Sequence, residues 1–137
     1  LKPGHPNQVA PGKRPFHTII PGFLMQGGAP LMSFGVMGGS MQAQGHLQVA
    51  ARVADHGQNP QAASDAPRWR VMDDNITIAV EWNFPQDAIE GLIARGHVVQ
   101  VAPRFNTEFG CAQLAMKVEN GYIAASDHRK DGYPVGM

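Results

Sequence analysis

Two apolar segments near the start of the chain predict a β-hairpin. They run from Phe16 to Met25 (FHTIIPGFLM) and from Pro30 to Met37 (PLMSFGVM), and the four residues QGGA separate them. A turn that contains two glycines can adopt the positive φ angles that a tight hairpin requires. We therefore expect two antiparallel strands in this part of the chain.

An amphipathic helix is predicted directly after the hairpin, beginning at Gly39 or Ser40 and ending at Gly57. Apolar residues recur at helical spacing and predict the side that faces the core: Ala43, Leu47, Ala50 and Ala54, with Val49 and Val53 widening the stripe. Polar residues predict the opposite, solvent-facing side: Gln44, Gln48, Arg52 and Asp55. A glycine after the last periodic residue is typical of a helix end.

The rest of the chain predicts a mixture of strands and helices. A short helix is expected over 59–67, with Asn59 as its N-cap and Pro60 in its first turn. A longer helix is expected in FPQDAIEGLIARGH, and strands are expected in RWRVM, ITIAVEW, HVVQVA, CAQLAMKV and GYIAAS. This order predicts an α+β fold in which helices cover sheets of mostly antiparallel strands.

The length and the first residues of the chain bear on its domain organisation. The 137 residues are enough for one domain over 1–137, with a real core. Residues 1–15 contain four prolines, so they are expected to form an extended arm rather than a helix. Leu1 is not a start methionine and no apolar signal segment follows it, so the sequence is typical of the middle of a longer chain.

Composition excludes several classes of function. Lys plus Arg and Asp plus Glu number 11 each, so neither a basic patch nor a nucleic-acid partner is expected. No apolar run is long enough to cross a membrane. The single cysteine excludes an internal disulfide, and the six histidines show no metal-binding spacing. Neither a metal nor another cofactor is therefore expected, and the compartment stays open.

Some residues with reactive or charged side chains have simple structural interpretations. Cys111 is expected to be a small buried residue, with no base beside it in the sequence. Arg68 and Arg129 could pair with Asp65 and Asp127, and we expect such pairs to fix loops rather than to bind substrate.

The glycine pair Gly38-Gly39, between the second strand and the helix, has three possible interpretations. It could supply an unusual turn and nothing more. It could cradle a phosphate, although GVMGGS lacks the lysine of a P-loop and the spacing of a dinucleotide site. It could also form an oxyanion hole, because the N–H groups at a helix start are unpaired and lie in a positive field.

Five motifs in order resemble one enzyme family over essentially the whole chain. They are PGKRPFHTIIP (11–21), GVMGGS (35–40), VADHGQNPQAASDAPRW (53–69), FPQDAIEGLIARGH (84–97) and AASDHRKDG (124–132). The chain resembles the C-terminal part of the small, catalytic subunit of the γ-glutamyltransferases, which are also called γ-glutamyltranspeptidases or glutathione hydrolases.

This resemblance implies a fold, a mechanism and a partner. The implied fold is the αββα sandwich of the N-terminal-nucleophile hydrolases. A proenzyme of this family cleaves itself and frees a threonine, which attacks the γ-glutamyl amide while its own amine serves as base. The acyl group then passes to water or to an amino acid. The resemblance assigns the oxyanion hole to Gly38 and Gly39, and it implies that Cys111 lies close to the site without a catalytic role. It also makes the remainder of the proenzyme the partner of this chain.

Two departures from the family pattern change these expectations. The nucleophilic threonine lies upstream of this chain, so residues 1–137 alone are predicted to be inactive. Typical members read GKRPLSSM, where two serines help to hold the glutamyl α-carboxylate, whereas this chain has His17-Thr18 at those positions. We expect His17 and Thr18 to bind substrate. The form HTIIPGF resembles a branch of transferase-like proteins and acylases, so a cephalosporin- or glutaryl-type acylase is the alternative activity.

Overall fold

The computed structural model describes residues 2–136, and these contain two β-sheets and three α-helices. In chain order the elements are β1 (Gly22–Gln26), β2 (Ala29–Met37), α1 (Met41–Ala54), α2 (Pro60–Asp65), β3 (Trp69–Val71), β4 (Thr77–Val80), α3 (Gln86–Ala94), β5 (Val98–Val101), a 3-10 turn (Thr107–Phe109), β6 (Cys111–Val118) and β7 (Gly121–Ser126). The α+β class and the order of the elements are as predicted from the sequence. Only the 3-10 turn is additional.

The first 20 described residues precede the sheets and contain no regular element. Residues 2–21 form neither helix nor strand, and all of them are exposed. The predicted arm is therefore non-helical over residues 2–15, and Leu1 lies outside the described residues. The first strand begins at Gly22 rather than at Phe16, so residues 16–21 join the arm instead of the hairpin.

The larger sheet has four antiparallel strands in the order β1-β2-β6-β7. The turn between β1 and β2 contains Gly27 and Gly28, which both have positive φ, at 58° and 82°. This is the predicted two-glycine hairpin. β6 then pairs along β2, and Met37 at the end of β2 lies opposite Cys111 at the start of β6. This pairing brings two segments that are distant in sequence to the start of α1.

One face of the four-stranded sheet carries the main core. Side chains alternate along the strands, and the buried ones pack against α1 and α2: Met32, Phe34, Val36, Ala112, Leu114 and Ala125 from the sheet, with Val49, Val53 and Ala63 from the helices. α1 lies close to β2, because a Cβ built on Gly45 would come within 2.6 Å of the Val36 side chain. Gly45 therefore permits an approach that no larger residue would allow.

The buried side of α1 differs from the one predicted by its apolar periodicity. Ala43, Leu47 and Ala54 are exposed, and Leu47 retains 61% of its surface. The residues that are buried instead are Met41, Gln42, Gly45, Gln48, Val49 and Val53. Gln48 is buried because its side-chain amide pairs with the backbone of β3, which satisfies its polar atoms as water would. The periodicity treats glutamine as a solvent-facing residue and therefore rotates the predicted face.

The second face of the four-stranded sheet is open in this chain. Phe23, Met37 and Tyr122 project from it and keep 58%, 54% and 76% of their surface exposed. Between them lie small or polar side chains such as Ser33 and Ala115. This face is partly apolar.

The smaller sheet has three strands in the order β3-β4-β5, with α3 packed against it. β3 and β4 are antiparallel, whereas β4 and β5 are parallel and α3 forms the crossover between them. Ile78, Val80 and Ile89 form its buried core. Within residues 2–136, no helix is long and apolar enough to cross a membrane.

Candidate active site

The glycine pair bends the chain between β2 and α1. Gly38 has φ +136° and Gly39 has φ +59°, which are backbone conformations that other residues rarely adopt. Ser40 occupies the N-cap position of α1, but its side chain makes no capping hydrogen bond. The bend by itself requires glycine at both positions. Whether the pair can also bind an oxyanion depends on the space and the hydrogen bonds around it.

The surroundings of the two glycines differ. A Cβ on Gly38 would come within 3.1 Å of the Met41 Cβ and 3.2 Å of the Gly110 Cα, so Gly38 is packed between α1 and the start of β6. A Cβ on Gly39 would meet no atom within 4 Å. Gly39 therefore faces open space, and any side chain placed there would project into that space.

The backbone amides of the glycine pair are available to an acceptor. The carbonyls of Gly38 and Gly39 receive hydrogen bonds from the N–H groups of Met41 and Gln42, at 3.0 and 3.1 Å. By contrast, no acceptor in residues 2–136 takes a hydrogen bond from the N–H of Gly38 or Gly39. Free N–H groups at a helix start, where the helix dipole is positive, favour an oxygen that carries negative charge.

A cavity of about 430 Å³ lies against the glycine pair. Its walls come from the arm, from β2, from the start of α1 and from β6, and the lining residues are Thr18, Ile19, Ile20, Gly35, Val36, Met37, Gly38, Gly39, Gln42, Cys111 and Gln113. Three of the four site residues proposed from the sequence, Thr18, Gly38 and Gly39, thus meet in one place. His17 is exposed and does not line the cavity. The sequence indicated that Cys111 would be nearby, whereas it gave no signal for Gln42 or Gln113.

The cavity walls are mostly apolar. Among the described residues 2–136, those that form the walls carry no charged side chain. Burial raises the pKa of the Cys111 thiol above its ordinary value, and this outweighs the hydrogen bond from the Gln113 amide. A raised pKa keeps the thiol protonated at neutral pH, which is the opposite of what a nucleophilic cysteine needs. Cys111 is therefore a wall of the cavity rather than its reactive group.

A buried cluster of charged side chains lies behind the start of β6. Arg68, which is 1% exposed, donates to the carbonyl oxygen of Phe109 at 2.9 Å and to Asp127 Oδ2 at 2.6 Å. The same Asp127 oxygen accepts the N–H of Ala112 at 2.7 Å. The Arg68–Asp127 pair thus holds both ends of the segment 109–112, whose Gly110 packs against Gly38. The predicted role of these residues in fixing loops agrees with this geometry.

Two further residues complete this cluster, and they differ in part from the predicted pairs. Arg129 bonds Asp127 Oδ1 and both carboxylate oxygens of Glu81. Asp65, which had been expected to pair with an arginine, instead lies 3.0 Å from the ring of His128 at the surface. Burial by itself would raise the pKa of Asp127, but Arg68, the N–H groups of Ala112 and Arg129, and the Arg129 charge together hold it below its ordinary value.

Other candidate sites are less developed within residues 2–136. No group of three or more His, Cys, Asp or Glu side chains in that range could hold a metal ion. A larger cavity of about 560 Å³ lies between α3 and the β3-β4 pair, and its walls include Trp69, Ile78 and Leu92. It holds none of the residues proposed for chemistry.

Comparison with known proteins assigns the chain to a family. The model of the gamma-glutamyltranspeptidase family matches residues 1–137, which is the whole chain. The chain belongs to the γ-glutamyltranspeptidase family. This match confirms the family recognised in the sequence. The members of this family are N-terminal-nucleophile amidohydrolases that are made as proenzymes.

Individual relatives agree with this assignment. The glutathione hydrolase-like YwrD proenzyme of Bacillus subtilis is 33% identical over 142 residues, which cover 100% of this chain and 27% of that protein. The crystal structure of cephalosporin acylase from Bacillus halodurans is similar with a TM-score of 0.79 and 45% identity, covering 96% of this chain and 24% of that one. The chain spans about a quarter of the length of these relatives.

A more distant structure shows the fold alone. The T380A mutant of Helicobacter pylori γ-glutamyltranspeptidase superimposes with a TM-score of 0.73 at 23% identity, and the match covers 95% of this chain and 76% of that chain. The two sheets and their helices therefore belong to the N-terminal-nucleophile hydrolase fold, as the sequence predicted.

Proposed function

We propose that this chain is the C-terminal part of the small catalytic subunit of an enzyme that hydrolyses or transfers γ-glutamyl groups from glutathione-type donors. One observation carries the proposal: the free N–H groups of Gly38 and Gly39 lie at a helix start, on the wall of a cavity. This arrangement can stabilise the negative oxygen that forms when an amide carbonyl is attacked. The proposed oxyanion hole is therefore Gly38 and Gly39.

The proposed reaction proceeds through an acyl-enzyme. A threonine at the start of the small subunit, upstream of this chain, attacks the donor carbonyl carbon, and its own amine takes the hydroxyl proton. The carbonyl oxygen becomes negative and accepts hydrogen bonds from Gly38 and Gly39. The bond to the leaving amine then breaks as that amine receives the proton. Water or an amino acid attacks the resulting ester and frees the threonine.

We assign the far end of the donor, which is the α-carboxylate and α-amino end of the glutamyl group, to the arm. The Thr18 hydroxyl can donate to or accept from the α-carboxylate or α-amino group of the glutamyl moiety, and Thr18 already lines the cavity. His17 precedes it in the chain and is exposed, so we place it at the mouth of the same cavity. The apolar side chains of Ile19 and Ile20 would then cover the methylene groups of the donor.

The rest of the proenzyme is the proposed partner of this chain. The open face of the four-stranded sheet supports this, since Phe23, Met37 and Tyr122 expose more than half of their surface there. Burial of these side chains, which are already partly covered, against a second layer would stabilise the assembly by about 1–2 kcal/mol each. We place on this face a sheet from the rest of the proenzyme, which would form the second sheet of the sandwich.

A second candidate activity, that of a glutaryl- or cephalosporin-type acylase, also has a specific observation in its favour. The described walls of the cavity carry no charged side chain, and His17-Thr18 replaces two serines of the family pattern. A donor without α-amino and α-carboxyl groups would need no charged partner. The 45% identity to the Bacillus halodurans cephalosporin acylase agrees with this candidate.

The two candidates differ in how they treat a pair of matched donors. In the full-length enzyme at pH 8, we expect kcat/KM for a γ-glutamyl anilide to exceed that for a glutaryl anilide by less than about 10-fold, since His17 replaces a hydroxyl in the family pattern. In H17S/T18S, where two hydroxyls can face the α-carboxylate, we expect this ratio to rise by about 10-fold. Steady-state kinetics with both anilides measures the ratio.

His97→Ser provides the control, because His97 is an exposed residue that follows α3 and does not line the cavity. It should leave the ratio unchanged. A wild-type preference for the γ-glutamyl anilide of several decades, with no gain in H17S/T18S, would remove the acylase candidate. Turnover of the glutaryl anilide alone would remove γ-glutamyl transfer.

A further inference from the structure

Three glutamines on α1 use their side-chain amides to pair with extended backbone. Gln48 donates to the carbonyl of Trp69 at 2.9 Å and accepts the N–H of the same residue at 3.0 Å. Gln44 makes the same two bonds to Val71, at 3.2 and 2.7 Å. Both glutamines thereby cover the free edge of β3, which would otherwise present unpaired backbone groups.

The third glutamine makes the same kind of contact with the arm instead of with a sheet. Gln42 donates to the carbonyl of Thr18 at 2.8 Å and accepts the N–H of Ile20 at 2.9 Å. Its amide nitrogen also lies 3.3 Å from the carbonyl oxygen of Gly39. The Gln42 side chain is thus joined both to the arm and to the glycine pair, and only 8% of the residue is exposed.

His46, one turn further along α1, strengthens the contact with the arm. One ring nitrogen lies 2.7 Å from the carbonyl oxygen of Ile20, and the other lies 2.6 Å from the carbonyl oxygen of Gln42. The ring also packs on Phe34, with 5.2 Å between the ring centroids. His46 is therefore held by the core while it bonds the arm.

These contacts are the ones that hold residues 18–20 in place. The arm has no strand partner before Gly22, and its residues are exposed. Three backbone groups of this segment make hydrogen bonds: the Thr18 carbonyl, the Ile20 N–H and the Ile20 carbonyl. Within residues 2–136, their partners are the side chains of Gln42 and His46 alone. Segment 18–20 nevertheless forms one wall of the cavity.

We propose that Gln42, assisted by His46, is a positioning residue that fixes Thr18 at a set distance from the Gly38-Gly39 amides. The inference rests on the proposed function for its kinetic part, because it assigns Thr18 to the donor's far end. Gln42 itself does not react. Its side-chain amide bonds the carbonyls of both Thr18 and Gly39, and so it keeps the Thr18 hydroxyl correctly placed relative to the N–H groups of the glycine pair.

Replacement of Gln42 by methionine in the full-length enzyme tests the proposal. Methionine has a similar volume but cannot bond the arm. In Q42M we expect KM for a γ-glutamyl anilide to rise by about 10-fold while kcat falls by less than about 3-fold, since donor recognition is loosened before the chemistry. A purely structural role would reduce the active fraction, which lowers kcat and leaves KM unchanged.

Gln44→Met is the matched control. It removes two hydrogen bonds of the same kind from the same helix, but these bonds hold β3 and lie away from the cavity. KM in Q44M should stay within about 2-fold of the wild-type value, because no donor contact is changed. An equal rise of KM in both variants would contradict the inference.

A measurement that is independent of activity separates this inference from the proposed function. Hydrogen exchange of the peptide 17–24, followed by mass spectrometry in the full-length protein, reports on the Ile20 N–H that Gln42 accepts. Residues 22–24 of β1 lie in the same peptide and add the same protection in every variant, so we expect the wild type and Q44M each to protect one amide more than Q42M does. Unchanged protection in Q42M would show that Gln42 does not hold the arm, and lost protection with unchanged KM would overturn its positioning role. If the wild type turns over no donor, the proposed function fails, whereas the exchange result still decides whether Gln42 holds the arm.

Discussion

Gly39→Val in the full-length enzyme is expected to lower kcat by about 100- to 1,000-fold, equivalent to about 3 kcal/mol of lost oxyanion stabilisation. The new side chain would project into the open space beside Gly39. The proposed mechanism places the donor oxygen in that space. It would also strain a backbone with φ +59° and turn the amide away. The kinetics of the matured enzyme with a saturating γ-glutamyl anilide measure the effect.

Gly57→Val is the control for backbone strain. Gly57 has φ +61° and open space around it, as Gly39 has, but it follows α1 at the end remote from the glycine pair. Both variants should lose similar stability, and only Gly39→Val should lose kcat. If Gly39→Val matures and retains a kcat within about 3-fold of Gly57→Val, the glycine pair is only a turn.

Asp127→Ala is expected to reduce the free energy of unfolding by about 3–5 kcal/mol, because it leaves the buried guanidinium of Arg68 without its carboxylate partner. Arg129 loses one of its two carboxylate partners and keeps Glu81. It also leaves the N–H of Ala112 unpaired beside the cavity wall. Urea unfolding of the full-length protein measures the loss.

Asp65→Ala offers a comparison at the surface. Asp65 pairs with His128 at 3.0 Å, and both side chains are about half exposed, so this change should cost less than about 1 kcal/mol. Similar losses in the two variants would show that the cluster adds no more than a surface pair.

The stability that Asp127 contributes depends on pH in a direction that its environment determines. Its pKa is lower in the folded protein than in the unfolded chain, so its contribution is complete above the ordinary aspartate pKa of about 4. The contribution falls as the pH drops through the lowered value. The difference in stability between the wild type and Asp127→Ala should therefore shrink below about pH 4.

Local signals in the sequence predicted those features that depend on neighbouring residues. Gly27 and Gly28 form the hairpin turn with positive φ angles, and the Asn59 side chain caps α2 by accepting the N–H of Ala62 at 2.9 Å. Each depends on one short segment of the chain. The bend at Gly38-Gly39 is of the same kind, which is why the sequence could point to it.

Features that depend on contacts between distant segments could not be predicted in the same way. Cys111 and Gln113 reach the cavity because β6 pairs along β2, and no periodicity in either strand specifies that pairing. Gln42 was missed because hydrophobic patterns place glutamine in solvent, whereas this amide replaces water by bonding to the arm. Residues 16–21 have apolar side chains that predict a strand, but they lie outside the hairpin, and Gln42 bonds the backbone of Thr18 and Ile20 there.

The resemblance to a family supplied what neither pattern nor spacing could. The ordered motifs selected one of the three interpretations of Gly38-Gly39, and they alone suggested the proposed roles of His17 and Thr18. The structure brings Gly38, Gly39 and Thr18 to one cavity, while His17 stays outside its lining. A donor that extends to the mouth of the cavity is needed for His17 to take part, and this is why H17S/T18S is tested with two donors.

The most direct test of the account is the intact mass of the small subunit after the matured full-length enzyme is mixed with a γ-glutamyl anilide and rapidly quenched. We predict a subunit that is heavier by one γ-glutamyl group, with fragmentation placing that group on the N-terminal threonine. We also predict that residues 1–137 alone gain no mass and release no aniline, since they lack this threonine. Aniline release by the purified 137 residues, or turnover by the full-length enzyme with no acylated threonine, would contradict the account.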